Sequence, residues 1–326
     1  MLPLTNPDNI VSLGEGMTPI ISVPRLAKKY GLNQLLIKDE GLNPTGSFKA
    51  RGMSMAISKA KELGLKDCVV PTAGNAGGAM SAYCAAAGIN ATIIMPAITP
   101  HIFQDECRAY GAKVILVDGL IDKCGELANE IAEKTGAFNM ATLKEPYRLE
   151  GKKTMGYEIA EQLDWQLPDV IIYPTGGGTG LIGIWKAFQE MITLGWIEDK
   201  KLPKMIVVQS ENCAPVVKYI AGTFIDEGSF QPSIASGLAV PKVVGIEMIH
   251  QVVNESKGCA VTVSEQEILA GLREITTGGG ISMSAEGAAA WSALKNLLDN
   301  GVVSANEKIL LLNTGSGYKN LELLGD

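Results

Sequence analysis

At 326 residues the chain is long enough for two packed lobes, each with its own hydrophobic core. Apolar residues make up 46% and charged residues 19%, and the net charge of −7 is spread without long runs, which argues against a nucleic-acid surface. No apolar run reaches the roughly 18–20 residues of a membrane span, and no basic-then-apolar start marks a secretory leader, so a cytoplasmic protein with no membrane partner is expected.

In chain order, strands are predicted at Leu35–Lys38, Cys68–Pro71, Ala91–Met95, Lys113–Val117, Val170–Tyr173, Met205–Val208, Ala260–Val263 and Lys308–Asn313. Helical patterns fall between most of them, among them Ser54–Leu63, Gly77–Ala87, Thr99–Tyr110, Ile121–Lys134 and Leu181–Leu194. Such alternation builds parallel sheets with helices on both faces. Residues 53–140 read as four β/α units, a small lobe, while residues 1–52 and 141–326 are expected to form a larger one. No low-complexity linker or internal repeat interrupts the chain. The six cysteines form no CxxC pair, which fits reduced thiols. His101 and His250 are too far apart in the chain to make a histidine metal site or a Ser-His-Asp triad attractive, so no metal is expected.

Asn43-Pro44-Thr45-Gly46-Ser47-Phe48-Lys49-Ala50-Arg51-Gly52 follows the first apolar strand and leads into a helical pattern. A lysine just before a helix, behind Gly and Ser, is placed to be held rigidly beside a ligand, and lysine is the side chain that forms Schiff bases with carbonyl groups. Gly41 and Gly46 have P-loop spacing, but Ser47 and Phe48 stand where that motif needs Lys directly after the second glycine, so a nucleotide triphosphate is not expected.

Pro71-Thr72-Ala73-Gly74-Asn75-Ala76-Gly77-Gly78 also joins a strand to a helix. Its amides, hydroxyl and carboxamide at a helix start suit a carboxylate, although Asn75 would equally serve as a turn or cap residue. In the 142–154 segment, Thr142 is followed by Lys144, Arg148 and Lys152 at intervals of four, which share a face wherever the segment is helical. Pro146 suits a first helical turn. Three cations there make a pocket for an anion, Arg above all for phosphate; the alternative is a solvated face balanced by Glu145 and Glu150.

Thr175-Gly176-Gly177-Gly178-Thr179-Gly180 follows an apolar strand and opens a helix. Consecutive glycines let several N–H groups converge on one anion in front of a helix N-terminus, a phosphate cradle. The run Gly178–Gly183 also satisfies GxGxxG, and Glu211 follows the next predicted strand, so a nicotinamide-dependent dehydrogenase competes on this segment alone. It does not account for Lys49. Near the C-terminus an apolar strand ends in Asn313-Thr314-Gly315-Ser316-Gly317.

Taken together, these segments resemble the fold-type II pyridoxal-phosphate enzymes, the tryptophan synthase β-like family. That resemblance implies an α/β fold of two open, mostly parallel three-layer α/β/α lobes, with the active site between them and the smaller lobe closing on substrate. It implies that Lys49 carries pyridoxal 5'-phosphate as a Schiff base and that Thr175, Gly176, Gly177, Gly178, Thr179 and Gly180 hold the cofactor's phosphate. Asn75 would lie beside the ring oxygen, and Thr72, Ala73, Gly74 and Asn75 would grip the substrate carboxylate. Thr314 would meet the pyridine nitrogen, a role that Ser316 could also fill. A neutral hydroxyl there need not keep the ring nitrogen protonated, which weakens the electron sink.

Within the family, Pro146–Gly151 with Lys153-Thr154, Gly14-Glu15-Gly16 with Thr18-Pro19, and the Lys49 segment resemble threonine synthases over about residues 12–318. The implied reaction converts O-phospho-L-homoserine and water to L-threonine and phosphate. The substrate phosphate would be held by Arg148 with Thr142, Lys144 or Lys152. Ala50 stands where many such enzymes have Asp, and the glycine loop is nearer the style of serine/threonine dehydratases, which leaves a dehydratase as the alternative. A homodimer without an appended effector domain is the further expectation.

Overall fold

The computed structural model describes residues 2–119, 121–198 and 202–325. Contacts divide the chain into two units, Met1–Gly16 with Asn43–Thr154, and Met17–Leu42 with Met155–Asp326.

The first unit is built on a four-stranded parallel sheet of order β5-β4-β3-β6, from β3 (Asp67–Pro71), β4 (Asn90–Pro96), β5 (Lys113–Val117) and β6 (Phe138–Asn139). Its strands alternate between two buried faces, as a pleated strand must. Cys68, Val70, Ile93 and Met95 enter one core with helices α2 (Lys49–Glu62), α3 (Asn75–Ala87) and α4 (His101–Ala109). Val69 and Ile94 enter the other, with α5 (Ile121–Thr135). Each fully buried Val or Ile contributes about 1.5–3 kcal/mol, so neither face tolerates a one-residue slip.

The second unit carries a six-stranded sheet of order β1-β2-β10-β7-β8-β9. Its strands are β1 (Ile20–Ser22), β2 (Gln34–Asp39), β7 (Val170–Pro174), β8 (Lys204–Ser210), β9 (Cys259–Val263) and β10 (Lys308–Asn313). All pairings are parallel except β1 with β2. Leu35, Ile37, Ile172, Val208 and Leu311 pack with α1 (Pro24–Lys29), α10 (Glu265–Gly279) and α11 (Ala285–Asp299). The alternating Ile171, Val207 and Leu310 are buried as well, so helices cover both faces and the expected three-layer α/β architecture is present.

The strand orders decide where ligands can bind. In the second unit the chain runs from β7 outward to β8 and β9, then places β10 on the other side of β7. In the first it runs from β3 to β4 and β5, then places β6 on the other side of β3. The crevices beyond the carboxyl ends of β7/β10 and of β3/β6 are therefore switch points, the ligand-binding places of open α/β sheets.

The division differs from the expected one: residues 1–16, 43–52 and 141–154 group with the smaller unit rather than the larger. For 43–52 and 141–154 the cause is a close helix crossing. At Gly52 an added Cβ would lie 2.9 Å from the Arg148 carbonyl oxygen and 3.0 Å from Lys152 Cε, and at Gly151 it would collide with the Arg51 carbonyl oxygen. α2 thus lies directly on the start of α6 (Tyr147–Gln162), the helix within which the boundary falls. No helix of the described residues is long and apolar enough to cross a membrane.

Candidate active site

Two of the predicted loops leave the β3/β6 switch point. After β3, Thr72 Oγ1 accepts a hydrogen bond from Gly74 N at 3.1 Å, and Asn75 is the first residue of the 13-residue α3, with Gly74 before it. Gly74 lies against the Phe103 ring, and Gly77 is hemmed by Met95, Thr72 and Cys107. The loop is therefore rigid, with Ala73 and Asn75 partly exposed and the first amides of α3 at its end.

After β6 the chain forms a turn, with Leu143 at φ 60°, before α6 begins at Tyr147. Thr142 and Lys144 lie on this turn and are exposed, so Lys144 does not share the helical face of Arg148 and Lys152. Those two are deeply buried, at 5% and 1% exposure. Arg148 donates through Nη1 to the Met140 carbonyl, and its Nε has no hydrogen-bond partner. Glu145 caps the helix, accepting from Arg148 N at 3.0 Å through Oε2, and leaves Oε1 unpartnered. Glu150 pairs with Lys153 at 2.6 Å. The solvated-face alternative is thus excluded: the charges are inside, where they are costly unless compensated.

Lys49 stands beside them. The turn Pro44–Gly46, with Thr45 at φ 59° and Gly46 at φ 64°, reverses the chain so that α2 starts at Lys49 itself. Its Nζ sits 4.3 Å from the centre of the Phe48 ring, and Lys152 Nζ lies 5.2 Å from the same ring. Burial first, then the Arg148 and Lys49 charges, hold the Lys152 ammonium well below the ordinary lysine range, opposed by Glu145. Burial likewise lowers Arg148.

In the second unit the glycine loop joins β7 to the 15-residue α7 (Thr179–Thr193) at the β7/β10 switch point. Thr175 is fully buried, its N–H on the Val208 carbonyl at 2.8 Å and its carbonyl accepting from Gln209 Nε2 at 3.1 Å. A Cβ at Gly176 would strike the Gly237 carbonyl, and Gly178, at φ +72°, would strike Ile249. Only glycine fits both places. Gly177 is partly exposed, while Thr179 and Gly180 form the first turn of α7. Thr314, 6% exposed, directly follows β10. Ser316 Oγ accepts from Tyr318 N at 3.3 Å as a cap for the last turn, whereas Thr314 has no side-chain hydrogen bond among the described residues.

Three supports of this loop region went unread in the sequence. Gly237, whose carbonyl walls Gly176, donates its own N–H to Glu286 Oε1 at 2.8 Å. Asn313 donates to Asp39 at 2.7 Å and accepts from Ser284 N at 3.2 Å, tying the ends of β10 and β2 together. Burial raises the Asp39 carboxyl above its ordinary range, against the hydrogen bonds from Asn313 and Gly41. Gly237, Glu286 and Asp39 sit in no motif, and Asn313, although it opens the C-terminal segment, carries no local sign of its distant partners.

Comparison with known proteins identifies the family. Residues 11–315 match the family described as "Pyridoxal-phosphate dependent enzyme". A threonine synthase of Methanosarcina acetivorans is 34% identical over 97% of this chain and 78% of its own length. One from Methanocaldococcus jannaschii is 32% identical over 98% and 78%. Among solved structures, the processed form of threonine deaminase isoform 2 from Solanum lycopersicum superposes with a TM-score of 0.79 at 24% identity, covering 98% of this chain and 90% of that one. The nicotinamide reading of Gly178–Gly183 is overturned by the family match, although Gly178 does precede α7 and Glu211 does follow β8. The chain belongs to the pyridoxal-phosphate dependent enzymes.

Proposed function

We propose that this chain is a threonine synthase, converting O-phospho-L-homoserine and water to L-threonine and phosphate. The observation that carries the reading is the buried pair Arg148 and Lys152 beside Lys49, a cationic pocket suited to an anion. A dehydratase acting on unphosphorylated hydroxy amino acids has no use for it. The threonine synthases at 32–34% identity support the same choice.

The residues fit the cofactor chemically: a primary amine at Lys49, a glycine cradle at Thr175–Gly180 that a single Cβ would fill, and the uncommitted hydroxyl of Thr314. When bound, pyridoxal 5'-phosphate supplies an electron sink for negative charge at the substrate's Cα. Lys49 would hold the cofactor and then move protons at Cα and the adjoining carbons. Arg148 and Lys152 would bind the phosphate that departs from Cγ, and water would then add at Cβ. Asn75, Thr72 and the first amides of α3 would orient the substrate carboxylate. Thr314 is preferred over Ser316 for the pyridine nitrogen because Ser316 is already used as a cap. A cytoplasmic homodimer acting on a small amino-acid phosphate completes the proposal.

The test is phosphate release from O-phospho-L-homoserine by purified enzyme, with the amino acid identified in the same reaction. Equal amounts of phosphate and threonine are expected. The second reading, a serine/threonine dehydratase, is favoured by the Gly-Gly-Gly-Thr-Gly loop and by Ala50; 2-oxobutyrate from L-threonine without phosphate release would establish it instead.

A further inference from the structure

The first peptide of the glycine loop is held by a residue that lies outside it. Gln209, on β8, is fully buried, and both ends of its carboxamide are used. Nε2 donates to the Thr175 carbonyl at 3.1 Å, while Oε1 accepts from Val216 N at 2.9 Å and from Val217 N at 3.2 Å. Those two amides belong to the first turn of α8 (Pro215–Ile220), whose N-cap residue, Ala214, supplies no side-chain acceptor. One side chain thus ties the loop to the start of a helix. Thr175 spends both of its own donors on the strands: its N–H on the Val208 carbonyl, and its Oγ1 on the Tyr173 carbonyl at 2.9 Å. By contrast, no backbone carbonyl of the described residues accepts from the N–H of Gly176, Gly177 or Gly178. The loop's donors for an anion therefore begin at Gly176, one peptide beyond Thr175.

A trans peptide points its C=O and N–H in opposite directions. Holding the Thr175 carbonyl on Gln209 therefore turns the Gly176 N–H away from that side chain. Without the hold, this peptide could turn over cheaply, because Gly176 has no Cβ to restrict its φ. A turned peptide would offer an anion a carbonyl oxygen in place of an N–H, and the convergence of donors would be lost. We infer that Gln209 is a positioning residue for the cofactor's phosphate: it fixes the Thr175–Gly176 peptide with its N–H toward the anion, and does not touch the anion itself. This rests on the reading of the glycine loop as the phosphate cradle and adds the residue that sets its first donor.

Titration of the full chain, freed of cofactor, with pyridoxal 5'-phosphate and separately with pyridoxal, followed by absorbance, separates the phosphate's share of binding from that of the ring and aldehyde. Gln209→Met removes both halves of the carboxamide. Gln209→Glu keeps an oxygen for the α8 amides and removes only the donor to Thr175. In both variants Kd for pyridoxal 5'-phosphate should rise about tenfold, the worth of one hydrogen bond, while Kd for pyridoxal stays within about twofold. Gln209→Met, uncharged and of similar length, carries the test by itself if the buried carboxylate of Gln209→Glu prevents folding. An unchanged Kd for pyridoxal 5'-phosphate in a folded variant overturns the inference. So does an equal loss for both ligands, which would make Gln209 a support of the fold alone; either result leaves the cradle standing. A wild-type chain that binds pyridoxal as tightly as pyridoxal 5'-phosphate has no phosphate cradle, and the inference falls with that reading.

Discussion

Lys49 and Arg148 can be separated experimentally because each should fail in its own way. Lys49→Ala removes the amine that forms the covalent link, so the purified variant should lack the visible absorbance band of a lysine-bound cofactor; an unchanged band would remove Lys49 from the mechanism. Arg148→Ala should raise KM for O-phospho-L-homoserine about tenfold to a hundredfold, the worth of a charge-assisted hydrogen bond, and leave binding of L-homoserine nearly unchanged. Equal effects on both would mark Arg148 as structural. Glu15 offers a pH test in the same unit. Burial pushes its carboxyl upward, but hydrogen bonds from Ser54, Tyr83 and the backbone outweigh this and hold it below the ordinary value of 4.5. Tyr83 OH donates at 2.6 Å. A depressed carboxylate stabilises the fold above its unfolded pKa, and that contribution is lost as pH falls through the folded value. Tyr83→Phe should cost about 1 kcal/mol at pH 7, allowing for solvent screening of the half-buried Glu15, and less at an acidic pH where Glu15 is protonated in the folded state. Urea titrations at both pH values check this; a pH-independent cost would mean that the loss is packing alone.

At the scale of elements, the α2–α6 crossing brings Lys49, Arg148 and Lys152 together, and two glycines permit it. Gly151→Ala would drive a methyl into the Arg51 carbonyl and within 2.9 Å of Met55 Cβ, so about 1–3 kcal/mol of destabilisation is expected. Gly125, inside α5 with nothing within 4 Å of its added Cβ, is the control: Gly125→Ala should stabilise by about 0.5–1 kcal/mol. Urea midpoints of the two variants should move in opposite directions; a shift of both the same way would refute the steric argument. The same contrast explains what was legible in the sequence. Strands β5 and β10 fall where the apolar runs place them, because a buried parallel strand writes its own pattern. β1 and β6, of three and two residues, are too short to write any. The start of α2 lies at Lys49 rather than Ser54, since Phe48 caps it with no side-chain hydrogen bond and so leaves no capping signature. The Lys49, Asn75 and glycine-loop segments were readable because glycine is compulsory in tight backbone turns. Glu286 and Asp39 were not, because their contacts join segments far apart in the chain. Lys144 shows the limit of periodicity, which counts residues correctly but cannot say where a helix begins.

At the scale of the whole molecule, each unit is assembled from two stretches of chain, and the first sixteen residues belong with the unit that resumes at Asn43. Their attachment is specific. Val11 is 6% exposed in that unit's core, its N–H donates to Ser58 Oγ at 2.8 Å, and its carbonyl accepts from Ser54 Oγ at 2.9 Å. Thr5 and Asn6 donate to Glu62, and Glu15 accepts from Tyr83. Removing residues 1–16 would expose the Val11 site, worth about 1.5–3 kcal/mol, and leave the mostly buried Tyr83 hydroxyl without its acceptor, at about 1–3 kcal/mol more. Because the two units have separate cores, that loss should be local. In a chain beginning at Met17, amide hydrogen exchange should accelerate through α2 and α3, while β7, β8 and β10 keep their protection. A synthetic peptide of residues 1–16, added in excess, should restore the slow exchange by mass action. Uniform acceleration across both sheets would show that the units unfold as one body, and the stability of the cationic pocket would then depend on the entire chain.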